Sequence, residues 1–270
     1  MRERKEAVMG DYKFDTFYYS EDKSNEHYLT EIENLSDEEF NKMYRGRMHC
    51  PWCKGPQLAL VKNEDKAFLR TYPKQSHLII DEEICPYECD TASKRMVEEY
   101  IQELREKKKI KSLLEATMRR LFKQAVPQDE TVNGVVTREK NPLLIEKIQD
   151  DKTIKRNIIP HYSFKSWGKN IPEEQLLVVY GKVHIELKEI KKVDKEGKEV
   201  TQVYIHFKDI KSQKLVTSCI KPRGMEVTEG DYCVVVLGTC HRKKSKDHTY
   251  YNLWLNTPVE ESILIEAFSK

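Results

Sequence analysis

The chain has no run approaching the ~18 consecutive apolar residues that a membrane span requires, and Met1-Arg2-Glu3-Arg4-Lys5-Glu6 lacks the apolar core of a secretory signal. The expectation is a soluble, cytoplasmic protein with no membrane partner. It also lacks an excess of charge. Lys and Arg number 47 against 45 Asp and Glu, so bulk charge points to neither nucleic acid nor lipid. There is no phosphate-binding glycine loop, no Gly-x-Ser-x-Gly elbow and no His-Glu-x-x-His helix, which argues against a nucleotide-driven motor or an ordinary hydrolase. Internal repeats and low-complexity tracts are missing as well.

What is present is uneven. From Ser20 to Phe40 the acids Glu21, Asp22, Glu26, Glu31, Glu33, Asp37, Glu38 and Glu39 face the single base Lys23, whereas Arg105 to Lys123 is strongly basic. An aromatic run, Tyr12 to Tyr19, precedes the acidic stretch and reads as packing against the next segment. Ser36 and Glu39 have the spacing of a reciprocal helix cap.

The seven cysteines are an odd number, and four form two close pairs, which suits metal ligation in a reducing compartment better than disulfides. Cys50-Pro51-Trp52-Cys53 is one knuckle, and Cys85-Pro86-Tyr87-Glu88-Cys89 is a second. The 31 residues between them are enough for a hairpin, with strands at Ala67–Tyr72 and His77–Ile80, that brings the pairs together. Four thiolates, Cys50, Cys53, Cys85 and Cys89, would close a tetrahedral structural Zn2+ site with no position left for water. His49 and His77 are substitute donors of lower rank. The segment holds few large apolar residues, so the metal is expected to hold it folded.

The knuckle, strands, histidine and further cysteine leading into an amphipathic helix, over Met48 to Leu104, resemble the N-terminal zinc-ribbon module of CoiA-like competence proteins. The Cys85-x-x-x-Cys89 spacing and the missing histidine pair depart from that pattern, and the nuclease-like domain that follows it in that family is not seen.

After Asp90, read as an N-cap, helical spacing at Val97, Tyr100, Ile101 and Leu104 resumes at Ile110, Leu113, Leu114, Met118, Leu121 and Phe122. This predicts a long amphipathic helix, bent or jointed at Lys107–Lys109 and stopped by Pro127. Residues 126–175 read as linker with a helix at Pro142–Asp150. Beyond Leu176 the period becomes two, with strands at Leu176–Ile190, Val200–Phe207, Lys214–Ile220, Tyr232–Thr239 and Thr249–Asn256.

The resulting expectation is an α+β, multi-domain chain. An N-terminal four-cysteine zinc ribbon is followed by the long amphipathic helix and then a C-terminal five-stranded OB-like β-barrel. The divisions fall at residues 1–46, 47–125, 126–175, 176–260 and 261–270.

Alternation turns Tyr180, Lys182 and His184 outward on the first barrel strand and Tyr204, His206 and Lys208 on the second. Lys221 and Arg223 follow the third strand. Arg242, Lys243, Lys244 and Lys246 lie in a basic loop before the last. Tyr180-Gly181-Lys182-Val183, Phe207-Lys208-Asp209 and Glu229-Gly230-Asp231 resemble OB-fold single-stranded nucleic-acid-binding domains over Leu176 to Leu255. The resemblance implies bases stacked on those rings within a basic groove. Cys219, Cys233 and Cys240 read as small core residues.

The leading functional expectation is therefore non-enzymatic binding of single-stranded DNA or RNA, without catalytic residues. Two alternatives stand beside it. One is a metal-dependent nuclease using Glu186 and Lys188 with Asp150 or Asp151. The other is an adaptor or inhibitor that meets a protein partner through the acidic N-terminal stretch.

Overall fold

The computed structural model describes residues 14–63, 67–79, 85–122, 141–150, 153–168, 171–193, 197–245, 248–256 and 261–267. The chain divides into two units, Met1–Thr91 and Ala92–Lys270.

In the first unit, β1 (Thr16–Tyr19) and β2 (Asp22–Tyr28) form a hairpin. Two short helices follow, α1 (Leu29–Ile32) and α2 (Asp37–Met43). The Ser36 cap forms as its spacing predicts. The Ser36 amide donates to Glu39 Oε2 at 3.0 Å and the Glu39 amide to Ser36 Oγ at 3.3 Å, and bonding to Ser36 holds the Glu39 carboxyl below its usual pKa. β3 (Met48–His49) adds to β1, and β4 (Leu58–Lys62) pairs with β5 (Ala67–Thr71). A 3-10 turn at Pro86–Glu88 leads to β6 (Asp90–Thr91). His77–Ile79 is not a strand, and Leu78 and Ile79 stay exposed; Ile80 lies outside the described residues.

The aromatic run packs inward. Phe14 and Phe17 share one core with Leu29, Ile32, Met48, Leu58 and Leu69, so residues before and after position 46 bury the same apolar surface.

The second unit opens with α3 (Lys94–Glu106), capped by Ser93, whose Oγ accepts from the Met96 amide at 3.3 Å; Asp90 is not the cap. α4 (Ile110–Phe122) is separate. Between them Lys108 adopts φ 55°, the Lys108 amide donates to the Arg105 carbonyl at 2.9 Å and the Lys109 amide to the Leu104 carbonyl at 2.8 Å. That bonding is a Schellman stop, with lysine at the left-handed position where glycine is usual. The expected long amphipathic helix is therefore two helices of 13 residues each.

Pro142–Asp150 is not helical either. β7 (Leu144–Asp150) pairs with β8 (Thr153–Ile158), with Leu144 opposite Ile158 and Ile148 opposite Ile154. After β9 (His161–Ser163) come β10 (Leu176–Val193), β11 (Glu199–Lys208), β12 (Leu215–Ile220), β13 (Gly230–Ser245), β14 (His248–Leu255) and β15 (Ile263–Ala267). The hydrogen-bonded order is β12-β11-β10-β13-β14. β9 joins β10 in parallel and β15 joins β13, giving a seven-stranded sheet in place of the expected five strands. The α+β expectation is thus corrected: the chain is mostly β, with four short α-helices among the described residues.

One sheet face carries Leu177, Val179, Val183, Ile185, Ile205, Phe207 and Leu253 into a core with Phe164. Between β12 and β14, Thr217 Oγ1 donates to the Tyr251 carbonyl at 2.8 Å. Part of the opposite face is covered too, because α4 packs against β13 and β15. Among the described residues no helix is long and apolar enough to cross a membrane.

Candidate functional site

Two constellations carry chemistry, one in each unit. In the first, Cys50 and Cys53 flank a tight turn in which the Lys54 amide donates to the Cys50 carbonyl at 3.0 Å and Lys54 takes φ 54°. Cys85 precedes the 3-10 turn, whose Tyr87 amide bonds its sulfur, while the Cys53 amide bonds that of Cys50. Such amides stabilise thiolate charge.

The donor atoms of Cys50, Cys53, His77 and Cys85 all lie within 4.8 Å of one another. Cys50 Sγ is 3.6 Å from Cys85 Sγ, and Cys53 Sγ is 3.4 Å from His77 Nδ1. A tetrahedron with metal–sulfur bonds of about 2.3 Å and metal–nitrogen bonds of about 2.0–2.1 Å requires roughly 3.8 Å and 3.5 Å for those separations. The donors stand where one ion would hold them.

Electrostatics point the same way. Burial pushes the Cys50 thiol up. Its hydrogen bond to Cys85 lowers the Cys85 thiol, with His77 adding to the effect. His77 is positioned by its backbone amide, which donates to Glu88 Oε2 at 3.1 Å. Its ring is stacked on Phe14 at 6.1 Å, and Phe14 stacks in turn on Tyr87 at 4.6 Å.

The expected four-thiolate set is corrected at one position. Cys89 is buried, but its sulfur is not in the group, because the 3-10 turn sends residue 89 into extended backbone with ψ 148°. His49 is not in the group either; its Nδ1 lies 3.2 Å from the Gly55 carbonyl. The chain thus offers three thiols and an imidazole able to hold a metal ion. Cys219, Cys233 and Cys240 are packing residues. Burial raises Cys219 and Cys240 to about 12 and also lifts Cys233.

Comparison with protein-family models, curated proteins and solved structures gives no match.

In the second unit the residues expected to meet nucleic acid part company. Tyr180 is 6% exposed, its ring lying 6.4 Å from Phe122 of α4 and 6.2 Å from the His161 ring, so it has no open face for a base. Lys182 is exposed. His184 Nδ1 is 2.8 Å from Asp231 Oδ1. Tyr204 Oη donates to Gln202 Oε1 at 2.9 Å, and its ring lies 4.9 Å beneath the Lys192 ammonium. His206 is partly buried, which lowers its pKa, and Lys208 pairs with Glu186.

Lys221 bonds the Met225 carbonyl. With Arg223, Gln202 and Ile220 it lines a shallow groove of about 690 Å³. Arg242 is held by Glu173 at 2.8 Å. Lys243 and Lys244 are exposed and make no ion pair or hydrogen bond among the described residues; Lys246 lies outside those residues.

The β13–β14 arm displays a face whose role alternation alone does not assign. Thr239 stands opposite Trp254, His241 opposite Asn252 and Lys243 opposite Tyr250, so these six residues share one side of the hairpin. Trp254 is 60% exposed and Tyr250 49%. The Trp254 ring stacks on that of His241 at 3.9 Å and 25°. The available signal in the sequence is Trp254 standing between the apolar Leu253 and Leu255.

The nuclease alternative finds no support in geometry. Glu186 is engaged by Lys208, the Asp150 side chain and Asp151 lie outside the described residues, and among the described residues no second group of three His, Cys, Asp or Glu donors converges.

Proposed function

We propose that this is a non-enzymatic nucleic-acid-binding protein whose first unit is fastened by one structural Zn2+ and whose second unit holds a phosphate backbone with the β13–β14 arm. The observation that carries the reading is the pairing of two exposed cations, Lys243 and Lys244, neither ion-paired among the described residues, with an exposed aromatic row on the same hairpin. Phosphates satisfy the cations, while the rings suit bases.

Zinc is the assignment for the metal because three soft thiolates and one imidazole in tetrahedral spacing match its preference. Four protein donors leave no open position, so the ion's role is to tie Cys50, Cys53, His77 and Cys85 together. Thiols of this kind suit a reducing compartment, the cytoplasm.

The test is fluorescence anisotropy with labelled single strands and duplexes across a salt series. Binding is expected to weaken steeply with salt, with about 0.7 of log–log slope per single-strand phosphate contact. The double change Lys243→Glu and Lys244→Glu should remove about 1.4 of that slope if each lysine makes one contact. An absence of binding to any strand at low salt overturns the reading.

A further inference from the structure

Trp254 is a large apolar ring left mostly in water, and it is not a loose one. Its neighbour on the diagonal, His241, backs one side of the indole at a centroid distance of 3.9 Å. His241 is itself fixed, with Nε2 2.8 Å from Thr239 Oγ1. The strand beneath is anchored by Leu253, which is 1% exposed, and by the core around it. The indole is therefore held rigidly with one face supported, and the 60% of the residue that remains exposed presents the other face and the rim.

A pre-positioned aromatic plane gains contact area without ordering a side chain on binding. Along the same side of β14 come Asn252, which can donate and accept hydrogen bonds, and Tyr250. Four residues of strand separate Trp254 from Tyr250, about 13 Å. Lys243 lies directly across from Tyr250, while Lys244, opposite Thr249, belongs to the other side of the hairpin.

Planar rings that alternate with hydrogen-bonding groups, with cations at one end, fit a ligand made of flat bases on a polyanionic chain. A duplex hides its base faces within its own stack. Only an unpaired strand offers them.

We propose that Trp254, backed by His241, is a base-stacking site that makes the β13–β14 face selective for single-stranded over double-stranded nucleic acid. The inference rests on the nucleic-acid reading above and adds to it the strand form and the residue that discriminates. Lys243, on the same side, grips the backbone of either form, whereas Trp254 acts on the unpaired base alone.

The experiment uses the full chain with a short labelled oligothymidylate, its oligouridylate counterpart, a mixed-sequence duplex and a neutral oligosaccharide, read by anisotropy and by tryptophan fluorescence. The wild-type protein should bind the single strands with quenching of its tryptophan emission. Trp254→Ala should weaken single-strand binding roughly 5- to 150-fold, the range for one stacked base, while leaving duplex binding within about twofold. Trp254→Phe should retain much of the affinity but lose the quenching, which separates a stacking role from a merely structural one.

Unchanged single-strand affinity in Trp254→Ala, with the protein still binding nucleic acid, overturns the stacking site and leaves the broader reading intact. Equal losses for strand and duplex overturn the selectivity. Failure of every nucleic acid, together with quenching by the neutral sugar, overturns both.

Discussion

Replacing His77 and Cys89 in parallel tests the metal centre most sharply, because the sequence pattern and the structure rank them oppositely. His77 Nδ1 lies 3.4 Å from Cys53 Sγ within the four-donor group, whereas Cys89 stands one 3-10 turn beyond it. Structural zinc contributes roughly 10–16 kcal/mol in finger peptides, or about 3 kcal/mol for each of four ligands. For a unit of this size each kcal/mol moves the melting temperature by about 4–8 °C, so His77→Ala should lower the transition of the first unit by about 12–24 °C and reduce its zinc content. Cys89→Ser removes no donor. It should keep one zinc per chain and cost about 1 kcal/mol, the typical effect of a single buried substitution. The assay is elemental zinc analysis after dialysis, with thermal melts run with and without chelator. Full zinc in His77→Ala and none in Cys89→Ser would refute the three-thiol, one-imidazole assignment. A wild-type chain free of zinc and indifferent to chelator would refute the centre itself.

Tyr180→Ala should act on stability rather than on binding. Its ring is buried against Phe122 and His161, so truncation should cost about 3–5 kcal/mol in denaturant unfolding while strand affinity per folded molecule stays unchanged. His161 predicts a pH dependence. Burial holds its pKa below the ordinary 6.5 and outweighs the opposing effect of the bond that its Nδ1–H donates to the Ile159 carbonyl at 3.0 Å, so the folded ring resists a proton that the unfolded chain accepts. Stability should therefore be fully present above pH 6.5 and decline as pH falls below it towards the lowered folded value; His161→Gln should flatten that decline in urea melts repeated across the pH series.

Local chemistry makes some of this protein legible. The Ser36 cap needs only residues 36–39, and the period-two runs beyond Leu176 coincide with β10 to β14, because both signals are written within a few neighbouring residues. The Cys50–Cys53 knuckle is visible for the same reason. The interruption at Lys107–Lys109 is visible too, but not that it is a full stop, because lysine gives no sign that it will adopt the left-handed backbone that glycine usually supplies. Pro142–Asp150 reads as a helix in sequence because a short apolar pattern does not reveal whether a partner strand such as β8 lies alongside.

The sequence by itself determined that thiols from two separated segments could serve a metal, and that the later half alternates between two faces. Only the tertiary structure decided which donor completes the set, since the choice of His77 over Cys89 depends on a turn and on the stacking of Phe14, both products of packing between distant segments. It also decided which side of the alternation meets solvent. Periodicity separates the faces of a strand but does not say what lies on them: Phe122 of α4 and the His161 ring bury Tyr180, while Trp254, backed by His241 on one side, stays 60% exposed.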